Sequence, residues 1–250
     1  MSIATICRNG WQPGKTARVP IPRTLLAVDR SSFPPWSPGS ASTARNSFVT
    51  RLAPIEFWFE FCSPYAFFAG LEIADIACRH GRPIVWRPFL LGAVLQVTGM
   101  TPLPDQKLRG AYAVHDWRRL ARFHKVSFSL PKVFPFMSLA PARMTYAVEH
   151  LAPCMAGPFA SHMLSALFER GADIADISVA ARLGAELGLD PAMLGAAATD
   201  QRWKDALRSR TDEAIERGIF GSPFVIVDGE GFWGSDRLGM VDRWLSVGGW

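Results

Sequence analysis

The 250-residue chain contains no CxxC pair and no stretch of about 18 consecutive apolar residues. The first absence excludes a dithiol redox motif, and the second leaves no candidate for a membrane-spanning helix. Its four cysteines (Cys7, Cys62, Cys78, Cys154) are scattered. Its five histidines form neither an HxxxH nor an HExxH pair. A zinc site and a disulfide framework are therefore not expected, and a reducing, cytoplasmic setting is the default. Acidic residues are nearly missing from one region: residues 1–53 carry seven bases and a single acid, Asp29. Removing these from the chain's 27 basic and 22 acidic residues leaves 20 and 21, so the +5 net charge belongs to the first 53 residues. The near-neutral remainder argues against a nucleic-acid partner.

Residues 1–53 also hold six prolines among many Ser, Thr and Arg, and no helical or strand period survives there. We expect a disordered basic extension over 1–53, with an organelle presequence or a start codon placed too early as alternatives. Residues 54–250 have the apolar content of a folded domain.

From Ile55 the pattern changes. Ile55, Phe57, Phe59 and Phe61 alternate along one face of a strand. The strand ends at Cys62-Ser63-Pro64-Tyr65, where Ser63 suits a helix N-cap and Pro64 the first helical position. A helix over 66–79, closed by Gly81, and a strand over 83–88 complete a βαβ unit, which predicts a parallel pair. Further helices are expected at 108–124, 142–151, 159–170, 177–187 and 202–217. Residues 98–102 and 130–136 are expected to be loops between them. After Gly221-Ser222-Pro223, residues 224–227 read as a strand, Asp228-Gly229 as a hairpin turn, Phe232-Trp233 as its partner, and a last helix starts near Ser235-Asp236. The predicted fold class is α/β. It is a thioredoxin fold whose halves (54–91 and 219–250) flank an all-helical insertion over 92–218.

In that fold the turn after the first strand places a side chain at a helix N-terminus, where free N–H groups and the helix dipole favour a thiolate. Here the turn reads Ser63-Pro64-Tyr65-Ala66, without a thiol at either end. Dithiol exchange is excluded there. Cys62 is left as a lone thiol, expected to be buried or neutral. Ser63 is an N-cap, and its hydroxyl can also donate to a thiolate supplied from outside. Lowering a thiol pKa by about two units takes about 2.7 kcal/mol of differential stabilisation. Pro223, cis in thioredoxin-like proteins, would leave the peptide groups of Ser222 free to pair with an extended peptide. Asp236 can accept hydrogen bonds from an ammonium group, and Ser235 can bind a carboxylate. A small peptide with a thiol and an α-amino acid end fits this set, and glutathione has that form.

The stretches FWFEFCSPYAFFA (57–69), WRPFLLGAVLQVTG (86–99), FPFMSLAPARM (134–144) and IFGSPFVIVDGEGFWGSDRL (219–238) resemble the 2-hydroxychromene-2-carboxylate isomerases and their kappa-class glutathione transferase relatives. These proteins lie in the DsbA-like thioredoxin superfamily. The resemblance covers about residues 54–247. It implies a glutathione-dependent isomerase of an aromatic acid, with Ser63 catalytic and glutathione contacts at Ser222, Pro223, Ser235 and Asp236; a kappa-like glutathione transferase or peroxidase and a non-catalytic glutathione-binding paralogue are the alternatives. It also implies a homodimer, while charge and apolar-run length lead us to expect no nucleic-acid or membrane partner. Met100 and Met137 stand where such relatives commonly carry asparagine, and the resemblance puts Met100 in the glutathione site. Arg87 and Lys107 are further candidates for carboxylate contacts, and Phe134, Pro135 and Phe136 for a substrate wall. Trp117 and Trp203 read as core.

Overall fold

A computed structural model describes residues 53–250. Apart from Ala53, the expected extension lies outside the described residues, as does Cys7. Strand β1 (Ile55–Phe59) is followed by α1 (Pro64–Arg79), β2 (Ile84–Pro88) and α2 (Leu91–Thr98). Helices α3 (Arg109–His124), α4 (Leu139–Leu151), α5 (Ala156–Phe168), α6 (Ile177–Ala185), α7 (Pro191–Thr199) and α8 (Gln201–Glu216) follow. Strands β3 (Phe224–Val227) and β4 (Glu230–Trp233), a 3₁₀ turn over Ser235–Arg237 and α9 (Leu238–Val247) end the described chain. The sheet order is β2-β1-β3-β4. β1 and β2 run parallel, as the βαβ pattern requires, and the remaining pairs are antiparallel. The result is a thioredoxin-like α/β fold with a block of helices between β2 and β3.

Several helix ends differ from expectation. α4 and α5 begin three residues before their sequence-based starts, taking in Pro141 and Pro158. Each proline is the third residue of its helix. There an N–H would have no intrahelical acceptor, so proline costs no hydrogen bond. The set of expected helices omits α2 and α7. α7 carries the signals plainly enough, with Asp190 capping the amide of Ala192 and Pro191 in the first turn.

Both faces of the sheet are covered. Phe57, Phe59, Val225 and Val227 pack into the main core with α1, α4 and α5, where Phe57 and Phe59 meet Trp86 edge-on. Trp58, Phe224 and Ile226 point the other way, into a smaller cluster with Val94 of α2 and Ala214 of α8. On that second face Arg217 pairs with Glu56 at 2.7 and 3.0 Å, and Trp58 donates its indole N–H to the same carboxylate. The β3–β4 turn places Asp228 and Gly229 at positive φ, as a two-residue hairpin of this twist requires. The C-terminal ends of β1 and β2 and the N-terminus of α1 thus meet at one end of the sheet.

Candidate active site

The candidate site starts at the break between β1 and α1. Ser63 has extended backbone angles and caps α1, accepting from the amide of Ala66 at 3.2 Å. The same hydroxyl donates to the carbonyl oxygen of Ser222 at 3.0 Å. This corrects one expectation: the Ser222 carbonyl is not free, because Ser63 already occupies it. The Ser222 amide makes no hydrogen bond among the described residues. The Ser222 hydroxyl accepts from the amide of Glu60 at 2.8 Å, and the Ser222–Pro223 peptide is cis. Two stretches 159 residues apart are thus joined through their serines.

Local sequence explains how the β3–β4 side closes over this point. A Cβ on Gly221 would lie 2.2 Å from Trp233 Nε1, so only glycine lets the indole rest against the chain before Pro223. Trp233 also stacks edge-on against Phe220, with ring centroids 4.7 Å apart. Gly234 has φ of +109°, and a Cβ there would collide with the carboxylate of Asp236. That glycine turns the chain after β4 and aims Ser235 and Asp236 back toward Ser222. Asp236 remains largely exposed, and Arg237 lies 3.9 Å from it.

These residues border one open cavity of about 1420 Å³. Ser63, Ser222, Ser235, Asp236 and Met100 all line it, while Pro223 is buried behind the wall. Part of its wall is apolar, formed by Tyr65, Trp117, Phe134, Phe136 and Met137. Trp117, read as core, is fully buried and serves as part of this wall, meeting Tyr65 and Phe134 edge-on. Two candidates do not reach it. Arg87 is paired with Glu149 at 3.2 Å and Lys107 is exposed, and neither lines the cavity. Trp203, read as core, packs partly buried against the main core, under the guanidinium of Arg202 and away from the cavity.

Two lining residues, Tyr65 and Glu60, carry no assigned role at the level of sequence. Tyr65 donates to Asp116 at 2.9 Å; burial first, then this bond and the adjacent negative charge, push its phenol up, so the ring keeps its proton. Glu60 is buried and accepts from the Ser138 hydroxyl and from the amide of Leu91 at 3.1 Å. Burial pushes its carboxyl up, against the pull of those hydrogen bonds. Its signal was an acid among aromatics, three residues before the serine. Cys62 behaves as expected: burial, then the neighbouring Glu60 charge, push its thiol up. Its sulfur accepts from the amide of Phe136 at 3.3 Å.

The family model of the DSBA-like thioredoxin domain matches residues 54–246. The chain belongs to this family. Within it, this DSBA-like protein is 26% identical over 193 residues to the 2-hydroxychromene-2-carboxylate isomerase of Sphingobium xenophagum, covering 76% of this chain and 97% of the isomerase. It is 28% identical over 205 residues to glutathione S-transferase kappa 2 of Caenorhabditis elegans, covering 77% and 91%. A solved 2-hydroxychromene-2-carboxylate isomerase superposes with a TM-score of 0.70 at 24% identity, over 77% of this chain and 94% of that one. Among these DSBA-like proteins, this chain carries a serine turn, so the family's fold is present here without a pair of thiols at the turn.

Proposed function

We propose that the protein is a glutathione-dependent isomerase acting on aromatic acids of the 2-hydroxychromene-2-carboxylate type. The observation that carries this reading is the pairing of Ser63 with Ser222 at the head of α1, on the edge of a cavity with a partly apolar wall. Relatives named as 2-hydroxychromene-2-carboxylate isomerases and as a kappa glutathione transferase support it.

Glutathione lies along Ser222, its peptide groups pairing with those of the residue before Pro223. Its γ-glutamyl end reaches Ser235 and Asp236, and Met100 contacts the tripeptide at the cavity rim. When the peptide's amide takes over the Ser222 carbonyl, the Ser63 hydroxyl is released to donate to the sulfur. The first-turn amides of α1 add to that stabilisation. The thiolate adds to the conjugated substrate: a C–S bond forms and the electron pair of the double bond moves onto the conjugated acceptor. The former double bond is then single and rotates. The electron pair returns, the C–S bond breaks, and the thiolate leaves unchanged. The aromatic ring packs against Phe134, Phe136 and Trp117. We place the protein in the cytoplasm as a homodimer acting on a small molecule, with residues 1–53 as an extension outside the catalytic domain. Among the described residues no helix is long and apolar enough to cross a membrane.

The test is conversion of 2-hydroxychromene-2-carboxylate with and without glutathione, followed by glutathione quantification. Isomerisation that requires glutathione and consumes none supports the proposal; no conversion at saturating glutathione refutes it. A second reading, glutathione transfer to electrophiles, rests on the kappa relative and would show stoichiometric glutathione loss.

A further inference from the structure

The cavity is assembled from several separate stretches of chain, and one residue ties four of them together. Glu60 directly follows β1. Its Oε1 accepts from the hydroxyl of Ser138 and, at 3.4 Å, from the amide of Cys62 in the serine turn. Its Oε2 accepts from the amide of Leu91, the first residue of α2, whose far end leads to Met100. Its own amide donates to the Ser222 hydroxyl, beside the cis peptide. Ser138 follows Met137 and opens α4, so it anchors the end of the loop that carries Phe134 and Phe136. The partners lie 31, 78 and 162 residues away in sequence.

A buried carboxyl is an expensive way to fill space unless its hydrogen bonds are needed, since an apolar side chain would pack without desolvation cost. Its side-chain oxygens are taken up by protein donors, which leaves the carboxyl tied to the walls of the site. Taking the cavity as the active site, we propose that Glu60 is its positioning residue, holding the Ser63 turn, α2, the Met137 loop and Ser222 in fixed mutual placement. It acts on the bound molecule through these four stretches.

Glu60→Gln keeps the shape but breaks the pattern. Wherever the amide nitrogen sits, it faces either the Leu91 or the Cys62 N–H, donor against donor. Hydrogen exchange of the ligand-free full chain, wild type against variant, reads the result without reference to glutathione. We expect exchange about tenfold faster or more in the peptides covering 60–63, 90–93, 135–139 and 220–222, with the core of α5 unchanged. Acceleration confined to 60–63, or spread evenly over the whole domain, overturns the proposal. If the variant does not fold, Ser138→Ala substitutes for it. Loosening must then reach 90–93 through the carboxyl, and loosening limited to the neighbours of residue 138 overturns the proposal. Glutathione titration of the folded variant supplies the functional half. Affinity about tenfold weaker supports positioning, and unchanged affinity overturns it. A wild type that binds no glutathione refutes the functional reading above, while the exchange experiment still decides the role of Glu60.

Discussion

The Ser63 hydroxyl donates to the Ser222 carbonyl at 3.0 Å while accepting from the amide of Ala66 at 3.2 Å. One side chain therefore caps α1 and ties it to the strand-leading loop 159 residues later. The one hydrogen of the Ser63 hydroxyl is already in use. Its availability to a sulfur depends on another donor satisfying Ser222 first.

Ser63→Ala removes both bonds. Loss of the cap is expected to lower stability by about 1 kcal/mol in chemical denaturation. Loss of the donor is expected to raise the pKa of bound glutathione, read from the ultraviolet absorbance of the thiolate. It should also cut turnover by about a hundredfold, as removal of one donor to a developing anion does. An unchanged thiol pKa would remove Ser63 from the chemistry and leave it as a cap.

Gly221→Ala puts a Cβ where the Trp233 indole lies, at 2.2 Å from Nε1. The expected cost is about 1–3 kcal/mol, with the indole displaced from Phe220 and a shift in tryptophan fluorescence. A variant as stable as wild type with unaltered emission would show that the Trp233 contact is loose.

Asp236→Asn removes the charge offered to the γ-glutamyl ammonium. Weakening of glutathione binding by about tenfold in calorimetry is expected, from the difference between a charged and a neutral hydrogen bond. The thiol pKa of the bound peptide should stay constant, because Asp236 serves the opposite end of the molecule. A change in pKa with constant affinity would reverse this assignment.

Thiol reactivity should sort by environment. Cys78 and Cys154 are exposed, whereas the Cys62 thiol is pushed up by burial and by the Glu60 charge. Alkylation at neutral pH followed by peptide mapping is expected to label Cys78 and Cys154 first and Cys62 only on unfolding. Rapid Cys62 labelling in the folded protein would contradict its half-buried, protonated state.

Glu60 gives stability a pH dependence of known sign. Its folded-state pKa lies above the ordinary glutamate value of 4.5, so the folded protein holds the proton more tightly than the unfolded chain. Its contribution is complete below that value and is lost as pH rises through the folded pKa. Asp242, held below its ordinary range by His80 and Arg79, acts in the other direction. Its contribution is present above the ordinary aspartate range and disappears as pH falls through its lowered pKa. Melting temperature is therefore expected to drop more steeply in wild type than in Glu60→Gln as pH rises above 4.5. Parallel slopes would show that the carboxyl titrates normally.

Much of this protein was legible in its residues because the signals are local. Alternation of aromatics marked β1, serine followed by proline marked the head of α1, and Asp228-Gly229 marked the hairpin. These depend on the strand period, on the orphan amides of a first turn and on positive φ, all of which act within a few residues. The serine turn also excludes dithiol chemistry at the head of α1. Helices α4 and α5 begin at Leu139 and Ala156 rather than at the expected Ala142 and Phe159 for an equally local reason, since proline breaks a helix only beyond its first turn. Tertiary structure alone decided what those residues touch. That Ser63 donates to Ser222, that Arg87 is spent on Glu149, and that Glu60 joins four distant stretches are long-range pairings. No periodicity encodes them, because each is chosen by the packing of the whole sheet and its helices.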